Sequence, residues 1–450
     1  MNYASISPLN NQILKEFKFS SYPDLSLSHN AFNTWKKLNV EKRGLQLRKV
    51  ADLLEKNKKK YAELITLEMG KPLREAEYEL NKTITAFDYY IENAPKFLKN
   101  EEVKSNASKS YISFQPLGII LSIMPWNFPF WQVFRFAVPT LISGNVTILK
   151  HAPNVPQCAL AIQELFDEAG VTPNIFRNYF LTNEDAGKLI ADPHIQGLSF
   201  TGSDATGSLL ASLAGKNIKK CVMELGGNDA FIVLEDADLS MAVEGAIKSR
   251  GINSGQSCNG AKRFIVLEKV AGEFTSRLIE KVTQLKVGNP LDATTNIGPL
   301  ARKDLAVKAQ KQIADSIAQG AIAHFGNSVP NEEGNFVSPV VLTNVNESTI
   351  AFNQEIFAPV WSVIVVRNID DAIATANNSV YGLGASIWSS DKAKAETLSQ
   401  QLEVGNVFIN DIVKSDARLP FGGIKRSGFG RELSEYGLKE FVNVKTVYIQ

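Results

Sequence analysis

One of the three cysteines in this chain stands in a setting that suits covalent chemistry. Cys258 lies in GINSGQSCNGAKRF, where small and polar residues leave room for a substrate, and Lys262 and Arg263 follow closely. A thiolate is a strong nucleophile, but it forms near neutral pH only where the surroundings lower the thiol pKa. Cys158 and Cys221 lie in apolar segments and are predicted to be core residues. On these residues alone, Cys258 is either a nucleophile or an ordinary loop cysteine.

Two further polar residues come at the ends of predicted strands. Glu224 ends the strand KKCVMELGG and is followed by two glycines, so its carboxylate has the setting of a general base. A strand-end ion pair is an equally open interpretation. Asn127, in MPWNFPF, offers a side-chain amide that can donate to a developing oxyanion. On spacing alone, a turn asparagine between Pro125 and Pro129 is the favoured interpretation.

Several common catalytic and nucleotide-binding motifs are missing from the sequence. Residues 202–207 have the glycine spacing of a P-loop, but Ser208 and Leu209 stand where that motif needs Lys and Ser or Thr. No GxGxxG follows a predicted strand, and neither GxSxG nor HExxH occurs. The four histidines are scattered along the chain, so we expect no metal site.

The composition is that of a folded globular protein without a broad charge bias. The 450 residues are 44% hydrophobic and 21% charged, and 48 Lys and Arg oppose 47 Asp and Glu for a net charge of +1. This balance gives no general attraction to nucleic acid or to an anionic membrane, so we expect neither as a partner. Three cysteines form no disulfide framework, and no signal peptide or transmembrane segment is predicted. We therefore expect a cytoplasmic protein.

The candidate residues lie in two stretches of alternating strands and helices. Residues 31–100 have helical periodicity with many Lys and Glu, which predicts solvated helices. From GIILSIM (118–124) onwards, short apolar runs alternate with helical segments, and a second alternating stretch follows Asp238. Such alternation predicts parallel sheets with crossover helices, and we expect the boundary between the two units within residues 225–235.

Eight motifs in a fixed order give the chain a specific family resemblance. They are MPWNFPFWQ, GNVTILKHA, SFTGS, MELGGND, GQSCNGAKRF, NQEIFAPV, VFIN and LPFGGIKRSGFGRE. From about residue 20 to residue 450 the chain resembles the aldehyde dehydrogenase superfamily. It is especially similar to the short bacterial and cyanobacterial succinate-semialdehyde dehydrogenases, through PLGIILSIMPWNFPFWQVFRF, LKHAPNVPQCAL and VKSDARLPFGG.

The resemblance implies an α/β fold of two Rossmann-like parallel-sheet domains with a small β oligomerisation arm. We therefore expect a homodimer or a homotetramer. The implied division is a dinucleotide-binding domain in residues 1–97 and 117–226, a catalytic domain in residues 227–430, and the oligomerisation arm in residues 98–116 and 431–450.

The resemblance also assigns chemistry to the three candidate residues. Cys258 matches the nucleophile that attacks the aldehyde carbon, while Asn127 and the Cys258 backbone N–H match the pair that holds the oxyanion. The hemithioacetal gives a hydride to the nicotinamide and becomes a thioester, and Glu224 matches the base that activates water to hydrolyse it. Gly260 stands where some relatives have a second cysteine, so we expect no intramolecular redox switch.

The implied cofactor is NADP or NAD. The positions that match the family's cofactor site are Trp126, Lys150, Gly202, Ser203, Glu355 and Phe357. Many NAD-preferring relatives have Glu three residues after the lysine, where this chain has Pro153. Without that carboxylate a 2′-phosphate meets no repulsion, and Lys150 can pair with it. We therefore predict that NADP is accepted, while the sequence leaves the preference between NADP and NAD open.

The implied substrate is a small aldehyde with a distal carboxylate, and succinate semialdehyde is the first candidate. Arg135 and Ser415 match carboxylate-binding residues, and Trp131 matches the same pocket. A guanidinium can hold a carboxylate in bidentate fashion. Longer relatives have a second arginine where this chain has Ile252, and Arg250 stands nearby without a known direction. Glutarate semialdehyde or an uncharged aldehyde is the alternative substrate, and a cofactor-independent cysteine hydrolase is the alternative class.

Overall fold

The chain folds into strands and helices that alternate over most of its length. The computed structural model describes residues 3–329 and 333–450. The strands in these two stretches are β1 (Tyr3–Ile6), β2 (Ile13–Phe17), β3 (Glu101–Glu102), β4 (Lys109–Pro116), β5 (Ile119–Met124), β6 (Val146–His151), β7 (Phe176–Asn178), β8 (Ile195–Thr201), β9 (Lys220–Glu224), β10 (Ala230–Val233), β11 (Arg263–Leu267), β12 (Ile322–Phe325), β13 (Val340–Thr343), β14 (Val360–Val366), β15 (Tyr381–Gly382), β16 (Gly384–Trp388), β17 (Asn406–Ile409), β18 (Ile424–Lys425), β19 (Gly428–Phe429) and β20 (Val442–Ile449).

The α-helices of the same two stretches separate these strands. They are α1 (Ser26–Trp35), α2 (Val40–Lys56), α3 (Lys58–Met69), α4 (Leu73–Phe97), α5 (Trp131–Ile142), α6 (Pro156–Glu168), α7 (Asn183–Ala191), α8 (Asp204–Lys216), α9 (Leu239–Gly251), α10 (Glu268–Thr283), α11 (Lys303–Ala318), α12 (Ile350–Asn353), α13 (Ile369–Asn377), α14 (Lys392–Ser399) and α15 (Ser434–Lys439). None of them has the length and apolar character needed to cross a membrane.

A six-stranded sheet forms the first α/β unit, in the order β19-β9-β8-β5-β6-β7. Its neighbouring strands run parallel, except that the edge strand β19 is antiparallel to β9. β5 and β6 are buried at every position, as expected where helices cover both faces of a parallel sheet. The strands predicted from the apolar runs at 118–124 and 145–150 are confirmed, with bounds that shift by one residue.

A seven-stranded sheet forms the second unit, in the order β12-β13-β14-β11-β10-β16-β17. Only the edge strand β12 is antiparallel to its neighbour. Ala230 and Ile232 of β10 pack into one apolar cluster, whereas Phe231 and Val233 pack into another, so the sheet is buried on both faces. The two predicted parallel-sheet units are confirmed. Along the chain, β9 ends at Glu224 in the first sheet, and the next strand, β10, belongs to the second sheet. β19 comes later in the sequence but pairs with the first sheet.

A three-stranded antiparallel sheet, in the order β20-β4-β3, stands apart from the two large sheets. β4 and β20 pair along their full length, from Val442 opposite Pro116 to Ile449 opposite Lys109. Most side chains of β20 are exposed. This small sheet comprises the strands of the segments 98–116 and 431–450.

Three local features differ from the sequence expectation. β1 and β2 form a hairpin in a segment that predicts no element, because Tyr3 is held by a distant partner: its hydroxyl donates to the Leu181 carbonyl oxygen at 3.0 Å. The strand predicted over NIFRNYFL shrinks to β7, since Asn174 has a positive φ of 63°. Cys158 is buried as predicted, but Cys221 is only half-buried because β19 pairs only with Met223 and Glu224 on that edge of β9.

Candidate active site

A cavity of about 480 Å³ with largely apolar walls lies where α4, α5 and α9 approach the loop that carries Cys258. The structure brings Cys258, Arg135 and Ser415 to this one cavity, although they are far apart in sequence. Asn127 and Glu224 do not line it. Its lining includes Glu79, Lys82, Trp131, Arg135, Ile252, Cys258, Ser415 and Phe421.

The loop before Cys258 has an unusual backbone that side chains hold in place. After α9, a 3₁₀ turn over Ile252–Gly255 contains Asn253 and Ser254 with positive φ values of 55° and 52°. Gly255 also has a positive φ, and a Cβ atom there would lie 2.2 Å from the Ala358 backbone. Non-glycine residues seldom adopt such angles, so the surroundings must stabilise them.

Arg250 supplies part of that stabilisation. Its guanidinium donates to the carbonyl oxygens of Gly260 at 3.4 Å and Ala261 at 3.3 Å, and it also contacts the Gly255 carbonyl oxygen. Arg250 is fully buried. The Arg250 side chain is thus directed at the loop backbone. It does not line the cavity, so it is excluded as a direct ligand for a substrate carboxylate.

The surroundings of Cys258 disfavour the thiolate form of its side chain. Burial raises the pKa of its thiol to about 11, while the charges of Lys262 and Arg135 act in the opposite direction. Lys262 Nζ donates to the Ser257 carbonyl oxygen at 3.0 Å and contacts the Cys258 carbonyl oxygen. The same ammonium lies 3.1 Å from a carboxylate oxygen of Glu355. A cation is therefore fixed against the backbone of the nucleophile loop.

Asn127 is buried beside the same loop. Its Nδ2 donates to the Gln256 carbonyl oxygen at 3.1 Å, and its backbone carbonyl oxygen accepts from Asn253 Nδ2 at 2.7 Å. A side-chain amide has two N–H groups. One N–H of Asn127 thus anchors the side chain two residues before Cys258 and leaves the other for a further acceptor.

Glu224 ends β9 with a buried carboxylate in crowded surroundings. Burial and the nearby charge of Glu432 raise the pKa of this carboxyl well above its ordinary value. Its Oε1 has no hydrogen-bond partner among the described residues, and a Cβ atom on Gly422 would lie only 2.7 Å from that oxygen. The glycine at 422 therefore makes room for this carboxylate.

The predicted cofactor residues at the first sheet lie around two element ends. Ser203 caps α8, with its Oγ accepting from the Thr206 N–H at 3.4 Å, and the Gly202 N–H donates to the Glu224 carbonyl oxygen at 3.0 Å. At the end of β6, Lys150 is buried, and its Nζ donates to Asn183 Oδ1 at 3.3 Å. A helix N-terminus and an ammonium are both groups that bind phosphate.

The segment after β6 contains one donor residue that sequence reasoning missed. Pro153 is exposed, and the next residue, Asn154, has a buried side-chain amide with no hydrogen-bond partner among the described residues. A buried, unpartnered N–H is costly unless a ligand or water satisfies it. Together with Lys150 it fits the phosphate groups of a dinucleotide.

The remaining cofactor residues lie close to one another near the nucleophile loop. The rings of Trp126 and Phe357 meet edge to face, with centroids 6.0 Å apart. Glu355 pairs with Lys262 and accepts from the Gly227 N–H at 3.3 Å, while a Cβ atom on Gly226 would lie 2.7 Å from its other oxygen. Gly226 thus leaves room for Glu355, and Gly227 binds it through its backbone N–H.

Arg135 reaches the cavity with part of its charge already offset. Its Nε contacts the carboxylate of Glu432, and both side chains are buried. Its guanidinium carbon lies 5.2 Å from the centre of the Phe421 ring, and its Nη2 has no hydrogen-bond partner within residues 3–329 and 333–450. Arg135 therefore keeps a donor for a ligand but shares its charge with Glu432.

Ser415 and Trp131 lie beside a lysine that sequence reasoning missed. Lys82 Nζ donates to Ser415 Oγ at 2.6 Å and lies 4.4 Å from the centre of the Trp131 ring. Lys82 sits on α4, whose many Lys and Glu residues predict solvated charge, so its sequence gives no signal of this position. Glu432 was also missed, and its only signal is its place at the end of LPFGGIKRSGFGRE.

Two largely parallel sheets beside a cavity with a half-buried cysteine define the class as an α/β enzyme with a thiol at its centre. The family model described as the aldehyde dehydrogenase family matches residues 3–447. This chain therefore belongs to the aldehyde dehydrogenase family.

Within this family, the chain is similar to several succinate-semialdehyde dehydrogenases of about the same length. The chain is 47% identical over 453 residues to a protein of Synechocystis sp. named probable succinate-semialdehyde dehydrogenase (NADP(+)), with 100% of both chains covered. It is 41% identical to the succinate semialdehyde dehydrogenase (NAD(P)+) of Escherichia coli, over 99% of this chain and 97% of that one. The crystal structure of succinic semialdehyde dehydrogenase from Streptococcus pyogenes in complex with NADP+ matches with a TM-score of 0.96 and 37% identity, over 99% of each chain.

Proposed function

We propose that this aldehyde dehydrogenase oxidises succinate semialdehyde to succinate with NADP(+), and that it also accepts NAD(+). The observation that carries the proposal is one cavity that holds the Cys258 thiol together with the Arg135 guanidinium and the Ser415 hydroxyl. Such a cavity can take an aldehyde carbon at the thiol and a carboxylate at the donors. The named relatives agree with this substrate and cofactor.

In the proposed first half-reaction, Cys258 Sγ attacks the aldehyde carbon. The raised pKa of the Cys258 thiol means that a proton must leave before the attack, and the charges of Lys262 and Arg135 favour the resulting thiolate. The free N–H of the Asn127 amide and the backbone N–H of Cys258 are the proposed donors to the oxyanion. A buried donor fixed in advance stabilises such charge more than water does.

In the proposed second half-reaction, Glu224 takes a proton from the water that attacks the Cys258 thioester. NADP, when bound, accepts the hydride that is lost between the two halves. A carboxyl whose pKa is raised is a stronger base once it has lost its proton. Because Glu224 does not line the cavity, this role requires its side chain to turn towards Cys258.

The cofactor is proposed to bind along the carboxyl ends of the first sheet. Ser203 and Gly202 at the α8 N-terminus suit the pyrophosphate. Lys150 Nζ and Asn154 Nδ2 suit the 2′-phosphate, next to Pro153, which carries no charge to repel it. Glu355, Phe357 and Trp126 are the proposed contacts of the nicotinamide half.

The first test is a steady-state assay with succinate semialdehyde, glutarate semialdehyde and hexanal, each with NADP and with NAD. We expect the highest kcat/KM for succinate semialdehyde with NADP. Better turnover of hexanal would contradict the substrate, and a strong NAD preference would contradict the cofactor. Ester hydrolysis without any nicotinamide reduction would instead favour a cofactor-independent hydrolase.

The organisation of the chain is proposed along the same lines. We infer a dinucleotide-binding domain in 1–97 and 117–226, a catalytic domain in 227–430, and an oligomerisation arm in 98–116 and 431–450. The exposed side chains of β20 support an arm that pairs with another copy, in a homodimer or homotetramer. Analytical ultracentrifugation tests this, and a monomer at micromolar concentration would contradict it. A cytoplasmic location stays a prediction.

A further inference from the structure

Lys82 lines the cavity beside Ser415, on a helix whose charge pattern predicts solvent exposure. Its side chain is half-buried, and its ammonium lies between two groups of the cavity wall. The donor contact is Ser415 Oγ at 2.6 Å, and the Trp131 ring centre is 4.4 Å away. A cation over an indole ring is attracted to its face, so the ring helps to orient the ammonium.

The acidic groups near Lys82 are engaged by other cations. Glu79 accepts from Lys71 Nζ at 2.6 Å, in a pair that is fully buried. Asp416 pairs with Arg418 at 2.6 Å. Among the described residues, Lys82 itself takes part in no ion pair. A half-buried ammonium whose direct contacts are a hydroxyl and a ring can gain much from an anion that enters the cavity.

Arg135 differs from Lys82 in this respect. Its guanidinium already contacts the buried carboxylate of Glu432, so only part of its charge is left for a ligand. Arg250 is directed at backbone carbonyls, and Ile252 adds only an apolar surface to the cavity. Unlike Arg135, Lys82 thus lines the cavity without an ion-paired carboxylate among the described residues, and it is the lining cation that donates to Ser415.

We propose that Lys82 is a specificity-determining residue that binds the distal carboxylate of the aldehyde, together with Ser415 and Arg135. This inference rests on the proposed function and deepens it. The three donors come from α4, from α5 and from the segment before Phe421, so they approach a carboxylate from separate elements. Lys82 supplies the second positive charge that the sequence lacks at Ile252.

The electrostatics of the site agree with this role. Burial and the charge of Arg135 lower the pKa of Lys82 to about 7. The cost of keeping the ammonium charged falls when a carboxylate binds beside it, because an opposite charge favours the charged form. An uncharged aldehyde offers no such compensation.

The test compares Lys82→Met with Lys82→Arg and with a matched control on the same helix. Lys96→Met removes an exposed lysine from the last turn of α4. The kinetic constants are measured with NADP for succinate semialdehyde and for butanal, which has the same chain length without the carboxylate. The affinity for succinate is measured by calorimetry on each variant.

We expect Lys82→Met to lower kcat/KM for succinate semialdehyde by about 10- to 100-fold, mainly through KM, as for a lost hydrogen bond to a charged group. Succinate affinity should fall by a similar factor. Butanal turnover should stay within about twofold, which also shows that the variant is folded. Lys82→Arg should recover much of the loss, and Lys96→Met should resemble the wild type.

Two results would overturn the role of Lys82. One is an equal loss for both aldehydes, which would indicate a structural effect. The other is an unchanged preference for succinate semialdehyde in Lys82→Met. The proposed function fails separately, if the wild-type enzyme itself does not prefer succinate semialdehyde over butanal.

Discussion

The two ends of the cavity are built in different ways. At the thiol end, most of the groups that hold the nucleophile come from its own segment: Arg250 and Asn253 bind loop backbone, and Lys262 contacts the Cys258 carbonyl oxygen. Asn127 adds one contact from outside that segment, to the Gln256 carbonyl oxygen. At the donor end, Lys82, Arg135 and Ser415 come from parts of the chain up to 333 residues apart. The thiol end is a fixed backbone, whereas the donor end is a set of side chains.

This difference predicts that the two ends respond differently to substitution. A change at the thiol end alters the transition state of every aldehyde, so it acts mainly on kcat. A change at the donor end alters only the contacts of a carboxylate, so it acts mainly on KM and only for carboxylate substrates. The experiments below test that separation, from the largest expected effect to the smallest.

Cys258→Ala removes the nucleophile and should abolish oxidation of every aldehyde, by about 10⁴-fold or more, as for other covalent catalysts. NADP binding, followed by protein fluorescence quenching, should stay close to that of the wild type. Cys221→Ala, at a half-buried position of β9, is the control and should retain activity. Turnover of Cys258→Ala near the wild-type rate would contradict the covalent mechanism.

Arg135→Ala should lower both the selectivity for a carboxylate substrate and the stability of the fold, and a second substitution should distinguish the two effects. We expect KM for succinate semialdehyde to rise about 10- to 100-fold, far more than KM for butanal. The variant also leaves the buried Glu432 carboxylate without its partner, so the free energy of unfolding should fall by about 3–5 kcal/mol. Adding Glu432→Gln should restore part of the stability in urea melts but not the selectivity. Equal KM changes for the two aldehydes would refute the carboxylate role.

The pH dependence of selectivity should report the charge of Lys82. Its pKa is lowered to about 7 by burial and Arg135, against the opposite influence of Asp416, Glu79 and Cys258. A lysine is charged below its pKa, so the ammonium is lost as the pH rises through 7. The ratio of kcat/KM for succinate semialdehyde to that for butanal should fall about tenfold between about pH 6 and about pH 8. Titration of the Cys258 thiol affects the turnover of both aldehydes equally, so it cancels in this ratio. A ratio that does not change with pH would contradict a role of the Lys82 charge in substrate selectivity.

Pro153→Glu should change the cofactor without changing the choice of aldehyde. The new carboxylate would stand near Lys150 and repel a 2′-phosphate, so kcat/KM for NADP should fall about tenfold while that for NAD changes little. Pro153→Gln is the matched uncharged control. A similar effect of both variants on NADP would indicate lost backbone rigidity rather than charge repulsion.

The thiol end of the cavity can be predicted from the sequence better than the donor end. Cys258 and its neighbours form one motif, and strands such as β5, in which Ser122 is the one polar residue, are apolar runs that predict their own burial. Lys82 looks like any helical surface lysine, because its position depends on the packing of α4 against a loop more than three hundred residues later. The contact between Arg135 and Glu432 and the hairpin of β1 and β2 depend on distant partners in the same way.

The most direct test of a cavity with two distinct ends is a crystal structure of Cys258→Ala with NADP and succinate semialdehyde. We expect the aldehyde carbon next to residue 258 and the carboxylate oxygens within hydrogen-bond distance of Lys82 Nζ, Ser415 Oγ and the Arg135 guanidinium. A carboxylate that contacts none of these three side chains would contradict the account of the donor end.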